Sequence, residues 1–349
     1  MAGQRQDRPV TIRDVALAAG VSKSTVSFVY SNPGRVSEAN RQLVLDTAER
    51  LGFRPNWAAR TINSGDGGFT GILLADLHSP PFARLVDYAR TELRAINRIA
   101  LMTSANPVGA ESGASDDIGM DSETLGFFGD LRPRSLLVVG SLADMSSLAP
   151  LVEGIPTVLA GGINEELPFA ATVRTDHDAG LRLLVEHLRE QGHTRIAHLG
   201  GLGGPVGEAR AAAYARAMEA AGLGAEIRVE RADFSEASGY LGAQRLMRSA
   251  EPPTAITTVT DLTAVGALAA VADHPGVAVT GYGDTEIAGY RLTQMTTVRA
   301  HNGEIGRVAV SELLRAEECH VARRNGAEAA PAERREVLVE PALVVRRTA

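Results

Sequence analysis

The side chains best suited to chemistry lie near the amino terminus, in the segment that follows Ser22. At helical spacing, one side of this segment carries polar or aromatic side chains: Lys23, Ser24, Ser27 and Phe28. The other side carries residues that lean inward: Val21, Thr25 and Val26. A helix with polar side chains near its amino terminus can enter the major groove of DNA, and its amide groups suit a phosphate. We therefore predict a DNA-binding helix here.

Two further helices must hold this helix in place. The first is predicted to start at a cap on Thr11, with Asp14 at its third position, and to end at Gly20. The turn from there to Ser22 is short enough to set two helices at a steep angle. A third helix is predicted between Ser37 and the following Gly52. The pattern indicates a helix-turn-helix, although an unrelated small helical bundle would share the bare pattern.

Charge is distributed unevenly along the 349-residue chain, whose net charge is −7. Nine basic and five acidic side chains precede residue 66, so this part carries +4 and the remainder carries −11. A basic head on an acidic body is expected when one domain meets phosphates and the other does not.

The sequence also indicates a cellular compartment. The chain begins without an apolar signal segment and has no run of 18 apolar residues, so we expect neither secretion nor a membrane partner. Cys319 is the only cysteine, so no internal disulfide can form. A reducing cytoplasm is the expected location.

Beyond residue 70, short β-rich runs alternate with helical stretches, which predicts βαβ units around parallel sheets. The runs cover residues 71–75, 99–103, 136–140, 157–160, 195–200, 255–259 and 277–282. They are too many for one sheet of ordinary size, so we expect two doubly wound α/β lobes.

Two rival functions share parts of this pattern. An enzyme is weakly indicated by the glycine-rich loop from Gly201 to Gly207, but Val206 stands where a dinucleotide-binding loop needs its last glycine. Lys23 is the only lysine, and no metal-site or nucleophile-elbow motif occurs, so we expect no enzyme activity, cofactor or metal. A secreted solute-binding protein would have no use for the helical head.

The segment TIRDVALAAGVSKSTVSFVYSNPGRVSEANRQLVLDTAERLGFRPNWAART resembles the headpiece of the lactose/galactose repressor (LacI/GalR) family of bacterial transcription regulators. Later stretches resemble the family in the same order, among them PPFARLVDYA, VRTDHDAGLRLLVEHLREQGHTRIAHLGG, GYGDTE and TTVRAHNGEIGRVAVSELL. The resemblance covers essentially the whole chain. It implies a helix-turn-helix head on a periplasmic-binding-protein-like, two-lobed effector domain.

The resemblance also implies which residues meet DNA. Base edges would be contacted by Lys23, Ser24 and Phe28, with Ser27 beside them. The sugar-phosphate backbone would be contacted or flanked by Thr11, Ser22, Ser31, Arg35 and Asn56. In a hinge helix, Ala59 would contact the minor groove and Ile62 would wedge into the central base step. Phe28 departs from the family, which usually has arginine there, and phenylalanine offers guanine no donor. It is expected to meet a thymine methyl group or simply to pack.

For the effector cleft, the resemblance implies Arg210 as the ligand-binding guanidinium, with Phe82 and Phe234 as walls. Asp261 matches a further ligand position, although capping the next helix would explain it equally well. Gly283 replaces a usual sugar-binding aspartate. Two classes of effector therefore stay open: a sugar, which is typical of the family, and a small anionic or carbonyl-bearing metabolite.

We accordingly predict a cytoplasmic, homodimeric repressor that binds a pseudo-palindromic DNA operator under effector control. The predicted domains are a headpiece at 9–54, a hinge helix at 55–64 and an effector-binding and dimerisation domain at 70–349. Within that domain, one lobe is predicted at about 70–169 and 299–326, and the other at about 170–298 and 327–349.

Overall fold

The computed structural model describes residues 10–54, 68–104, 122–141, 145–164, 167, 169–326 and 334–349. They divide into two compact units that meet in sequence at Gly68 and Phe69. The predicted hinge helix, with Asn56, Ala59 and Ile62, lies outside the described residues. No helix in the described part of the chain is long and apolar enough to cross a membrane.

The amino-terminal unit contains three helices: α1 (Ile12–Ala19), α2 (Lys23–Ser31) and α3 (Glu38–Leu51). Their core consists of small and branched apolar side chains: Val15, Ala16, Ala19, Val26, Val29, Val44 and Ala48. Gly20 ends α1 in the left-handed conformation (φ 66°), which glycine adopts without strain. The predicted order of three helices, and the glycine that turns α1 into α2, are confirmed.

The first lobe of the larger unit is built on a six-stranded sheet in the order β11-β5-β4-β3-β1-β2, with every strand pair parallel. The strands are β1 (Phe69–Leu74), β2 (Ile99–Ser104), β3 (Ser135–Val139), β4 (Thr157–Ala160), β5 (Ala171–Thr175) and β11 (Arg335–Val339). One face is covered by α4 (Pro80–Ala95) and α11 (Asn302–Arg324). The other is covered by α5 (Ser122–Asp130) and α6 (Ala149–Val152).

The second lobe is built on a six-stranded sheet in the order β12-β10-β9-β8-β6-β7, parallel except at the edge strand β12. The strands are β6 (Ile196–Gly201), β7 (Val229–Ala232), β8 (Ala255–Thr258), β9 (Ala278–Gly283), β10 (Thr296–Arg299) and β12 (Ala342–Val344). Helices α7 (His177–Glu190) and α8 (Gly204–Ala220) pack on one face. Helices α9 (Glu236–Met247) and α10 (Asp261–Ala270) pack on the other. Two doubly wound α/β lobes are therefore confirmed.

The chain crosses between the lobes at the carboxyl ends of strands. Strand β5 leads into α7 of the second lobe, and β10 leads back into α11 of the first. The crossings are bonded together, since the Thr175 hydroxyl donates to the Ala300 carbonyl (3.1 Å) and the Asp176 amide to the Val339 carbonyl (3.0 Å). The carboxyl ends of both sheets therefore border the space between the lobes, where open α/β sheets bind ligands.

The predicted boundaries between the lobes need correction. Residues from 170 and the stretch 327–349 were assigned to the second lobe, but β5 and β11 pair with each other in the first sheet. The lobes instead exchange the chain between β5 and α7, and between β11 and β12. The physical reason is that β11 completes the edge of the first sheet beside β5, although about 160 residues separate the two strands in sequence.

Candidate DNA-binding and effector sites

The recognition face, which we define as the side chains of Lys23, Ser24, Ser27 and Phe28, lies on the solvent side of α2. All four are exposed, whereas Val26 and Val29 on the opposite side are buried. Helical periodicity alone separates the two sets, because the apolar side chains must close the core over α1 and α3. The sequence thus predicted correctly which side of α2 is available to a partner.

Side-chain caps fix the ends of α1 and α2. The Ser22 hydroxyl accepts from the Thr25 amide (3.0 Å), which caps α2 as predicted. At α1, the Asp14 carboxylate accepts from both the amide (2.8 Å) and the hydroxyl (2.7 Å) of Thr11. These bonds orient the start of α2, where its free amide groups and Lys23 concentrate positive potential. Ser31 closes α2.

Phe28 does not pack into the core. It is 37% exposed, and the guanidinium carbon of Arg35 lies 5.8 Å from the centre of its ring, within the range of a cation–π contact. Arg35 comes from the single 3₁₀ turn Pro33–Arg35 that follows α2. Phe28 therefore lies at the surface of the headpiece beside Arg35, and its contact with a thymine methyl group stays a prediction.

In the second lobe, Arg210 lies in α8, and its guanidinium reaches the carboxyl end of the sheet. Its Nη1 donates to the Val259 carbonyl just after β8 (2.6 Å), and the guanidinium carbon lies 4.0 Å from the centre of the Tyr282 ring. Among the described residues, nothing accepts a hydrogen bond from its buried Nε. One edge of the guanidinium, formed by Nε and Nη2, is thus left to another acceptor.

Buried polar side chains surround this arginine. We call Arg210, Tyr282, His177 and His198 the arginine cluster. The Tyr282 hydroxyl is 3.1 Å from Nδ1 of His177, and burial raises the pKa of Tyr282 to about 12. Burial, with the charge of Arg210, lowers the pKa of His198 to about 3 and holds that of His177 well below its usual range. Both histidines are therefore neutral, and Arg210 is the one cation of the cluster.

Asp261 does not cap α10, and its contact with a ligand stays a prediction. Thr260, not Asp261, caps α10, because its hydroxyl accepts from the Thr263 amide (3.1 Å). The Asp261 carboxylate is 1% exposed and accepts from the amide and hydroxyl of Thr285 (2.7 and 2.8 Å) and from the hydroxyl of Thr297 (2.5 Å). Burial raises the pKa of Asp261, and these hydrogen bonds oppose the shift. Asp261 thus anchors the loop that follows β9.

The two predicted wall residues border the carboxyl ends of different sheets. The Phe82 ring, on α4, lies so close to Gly140 after β3 that a Cβ there would approach it to 2.5 Å. The Phe234 ring covers Gly203, before α8, and a Cβ at Gly203 would lie 2.7 Å from that ring. Glycine is required at both positions, which also have positive φ (84° and 87°). The structure therefore fits a wall in each lobe.

A cavity of about 190 Å³ is lined by residues of both lobes, although no side chain of the arginine cluster lines it. It is lined in part by Tyr88 of α4, Gly283 and Asp284 after β9, and Asn302 of α11. Burial would raise the pKa of Asp284, but hydrogen bonds from Arg346 and Arg299 outweigh burial and lower it. A larger groove of about 450 Å³ borders Arg195, at the amino end of the second sheet. We place the ligand site at the carboxyl ends, where parallel sheets bind ligands.

Sequence reasoning missed the residues that position Arg210 and Asp261. Tyr282, Thr285 and Thr297 have no distinctive local pattern, and their roles follow from strands that meet only in the folded lobe. The motif GYGDTE contains two of them, Tyr282 and Thr285, but no local pattern within it indicates which groups they contact.

Comparison with known proteins agrees with both halves of the molecule. A family model described as bacterial regulatory proteins, lacI family, matches residues 11–56, and one described as a periplasmic binding protein-like domain matches residues 185–349. The maltose regulon regulatory protein MalI of Escherichia coli (strain K12) is 33% identical over 196 residues, which are 56% of this chain and 54% of that protein. The repressor CytR of the same strain is 26% identical over 90% of this chain and 92% of its own length.

Among solved structures, the lac repressor dimer bound to operator and the anti-inducer ONPF superimposes with a TM-score of 0.78. The match covers 98% of this chain and 99% of that one at 21% sequence identity. A helix-turn-helix headpiece on a two-lobed, periplasmic-binding-protein-like domain defines a DNA-binding transcription regulator, not an enzyme. Residues 11–56 thus match the lacI family of bacterial regulatory proteins, and the chain as a whole is similar to regulators of that family.

Proposed function

We propose that this regulator is a homodimeric repressor that binds a pseudo-palindromic operator and is controlled by a small molecule in the cleft between its lobes. The observation that carries the proposal is the combination, in one chain, of an exposed recognition face with a buried arginine, Arg210, whose Nε has no acceptor among the described residues. The first offers contacts to bases, and the second offers a charged donor pair to a ligand.

The recognition face supports base contacts by Lys23, Ser24 and Phe28, with Ser27 beside them. Thr11, Ser22, Ser31 and Arg35 would contact or flank the phosphates. In the predicted hinge region, Asn56 would contact or flank the sugar-phosphate backbone, Ala59 would contact the minor groove and Ile62 would be the wedge. These roles come from the family resemblance, and the exposure of α2 is consistent with them.

Two-fold pairing is supported by apolar side chains that the single chain leaves in solvent. One set lies on the edge strand β2, and another lies on or near α9 and α10. The most exposed members are Ile99, Leu101, Met102, Leu241, Leu262, Tyr290 and Leu292. Exposed apolar side chains of this size are candidates for association sites. One headpiece buries too little DNA surface for tight binding, and a dimer doubles its contacts.

The class of effector follows from the polarity around Arg210. Its Nε and Nη2 form the edge that binds a carboxylate or carbonyl oxygen in a fork. The carboxylate of Asp261 is already occupied by three donors, and Gly283 adds no acid. A polyol that needs carboxylate acceptors is therefore disfavoured, and a small anionic or carbonyl-bearing metabolite is preferred over a neutral sugar. Phe82 and Phe234 would form the walls around it.

A selection of duplexes from a random pool by the full-length protein tests the DNA-binding half of the proposal. We expect enrichment of one inverted repeat, bound by two chains as counted by light scattering of the complex. Binding of an asymmetric sequence by a single chain at the same affinity would contradict the dimer. A thermal-shift screen against sugars, nucleosides and small organic acids tests the effector half, and we expect stabilisation by an acid or carbonyl compound.

A further inference from the structure

Phe28 occupies a position on the recognition face where a hydrogen-bonding side chain would ordinarily be useful. Its ring can neither donate to a guanine nor accept from an adenine. The flanking core residues Val26 and Val29 are 0% and 6% exposed, whereas Phe28 is 37% exposed. An aromatic ring held in solvent on a small helical domain has lost the free energy of burial. A partner that covers the ring would recover it.

Arg35 restricts how that ring can be covered. Its guanidinium stacks on Phe28 from the turn after α2, and the exposed fork remains able to bind a phosphate oxygen. One face of the ring is thereby occupied by a cation. The rest of the ring is left for an apolar surface, next to Ser24, which lies one turn earlier on the helix.

We propose that Phe28 selects a thymine through its 5-methyl group, and that Arg35 is a positioning residue that holds the ring while it binds the neighbouring phosphate. This inference rests on the proposed entry of α2 into the major groove. There, thymine presents the only methyl group among the four bases. A guanine, adenine or cytosine edge at the ring would lose water from polar atoms that phenylalanine cannot satisfy, and that loss is unfavourable.

The test uses the full-length protein and the inverted repeat enriched from the random pool. Each thymine of a half-site is replaced in turn by uracil, in both half-sites together, which removes the methyl group and leaves the pairing unchanged. At one position, we expect affinity to fall about fourfold per half-site, the effect of one methyl group that is no longer buried. Cytosine at that position should bind less tightly than thymine, and 5-methylcytosine should recover part of the difference.

Variants of the protein assign the effect to the ring. Phe28→Ala should bind the thymine and uracil duplexes equally, whereas Phe28→Leu should keep part of the discrimination. Arg35→Gln should lose part of it and should also lower the salt dependence of binding by about one ion per headpiece. Leu17→Ala is the matched control, because Leu17 is an exposed apolar residue on α1 of the same headpiece. It should keep the full discrimination.

The outcomes separate this inference from the proposed function. Equal binding of every uracil duplex by the wild-type protein, or an unchanged uracil effect in Phe28→Ala, overturns the role of Phe28. A pool in which no sequence is enriched contradicts sequence-specific binding itself. An enriched repeat with guanine at the position that responds to Phe28 substitution also overturns the thymine assignment.

Discussion

The recognition face and the arginine cluster each contain an aromatic–arginine pair, but the first pair is exposed and the second is buried. On the recognition face, polar groups project into solvent, and only the aromatic–arginine pair of Phe28 and Arg35 restrains them. In the arginine cluster, a second aromatic–arginine pair, Tyr282 and Arg210, is buried and fixed by a carbonyl and two neutral histidines. Exposed polar groups can bond to water until DNA binds, whereas buried polar groups need partners within the protein. In the arginine cluster, the buried atoms without a partner among the described residues are Nε of Arg210 and Nε2 of His198.

The largest expected effect comes from substitutions on the exposed recognition face. The double substitution Lys23→Ala with Ser24→Ala should weaken binding to the selected repeat by roughly 1–3 kcal/mol per half-site, the range for specific base contacts. Binding to random DNA should change much less, because phosphate contacts dominate it. Fluorescence anisotropy on both duplexes measures the difference. Equal losses would mean that these residues contribute charge but no sequence preference.

The next effect concerns the buried acid beside the cluster. Asp261→Asn replaces one acceptor oxygen by a donor that faces Thr285 or Thr297, so the free energy of unfolding should fall by about 1–3 kcal/mol. Asp178→Asn is the matched control, since Asp178 is exposed and its ion pair with Arg216 is on the surface. It should change stability by less than about 1 kcal/mol. Equal effects in urea unfolding would show that Asp261 is not an internal anchor.

A smaller effect tests the neutral histidines through pH. The folded-state pKa of His198 is about 3, below the unfolded value of about 6.5, so the unfolded chain binds a proton that the folded chain does not. Stability should therefore fall as pH decreases below about 6.5. Between pH 7.5 and 5.5, wild type should lose about 1.4 kcal/mol more than His198→Gln. A loss of stability in His198→Gln that is equal at both pH values leaves this difference unchanged, but parallel pH profiles of the two proteins would contradict a buried, neutral His198.

Much of the fold could be predicted from the sequence because its signals are local. Strands β1 to β4, β6, β8 and β9 are short apolar runs between turn residues, and each was located to within two residues at either end. Strands β5, β7, β10, β11 and β12 were missed. The first four each contain at least one arginine, β12 is only three residues long, and all five lie at or near a sheet edge or a crossing. Their pairing depends on contacts between distant segments, which no local pattern reveals.

The candidate sites divide in the same way. The exposed side of α2 follows from helical periodicity, so the recognition face could be predicted residue by residue. The position of Arg210 came from family resemblance, but its carbonyl acceptor, its aromatic support and its free Nε could not be inferred, because they depend on the ends of β8 and β9. Asp261 shows the limit of prediction most clearly. Two of its three donors come from Thr285 in the loop after β9, and the third comes from Thr297 in β10.

The central claim is that a ligand on Arg210 changes how tightly the recognition face holds DNA. An effector can shift that affinity only by binding one state of the protein better than the other. The direct measurement is affinity for the selected repeat, with and without the best compound from the thermal-shift screen, in wild type, Arg210→Ala and the same-helix control Arg216→Ala. We expect a ligand response in wild type and Arg216→Ala. In Arg210→Ala we expect DNA binding intact and the ligand response lost, with ligand affinity lower by roughly 1.5–3 kcal/mol. A full response of Arg210→Ala at the same ligand concentration would contradict the account.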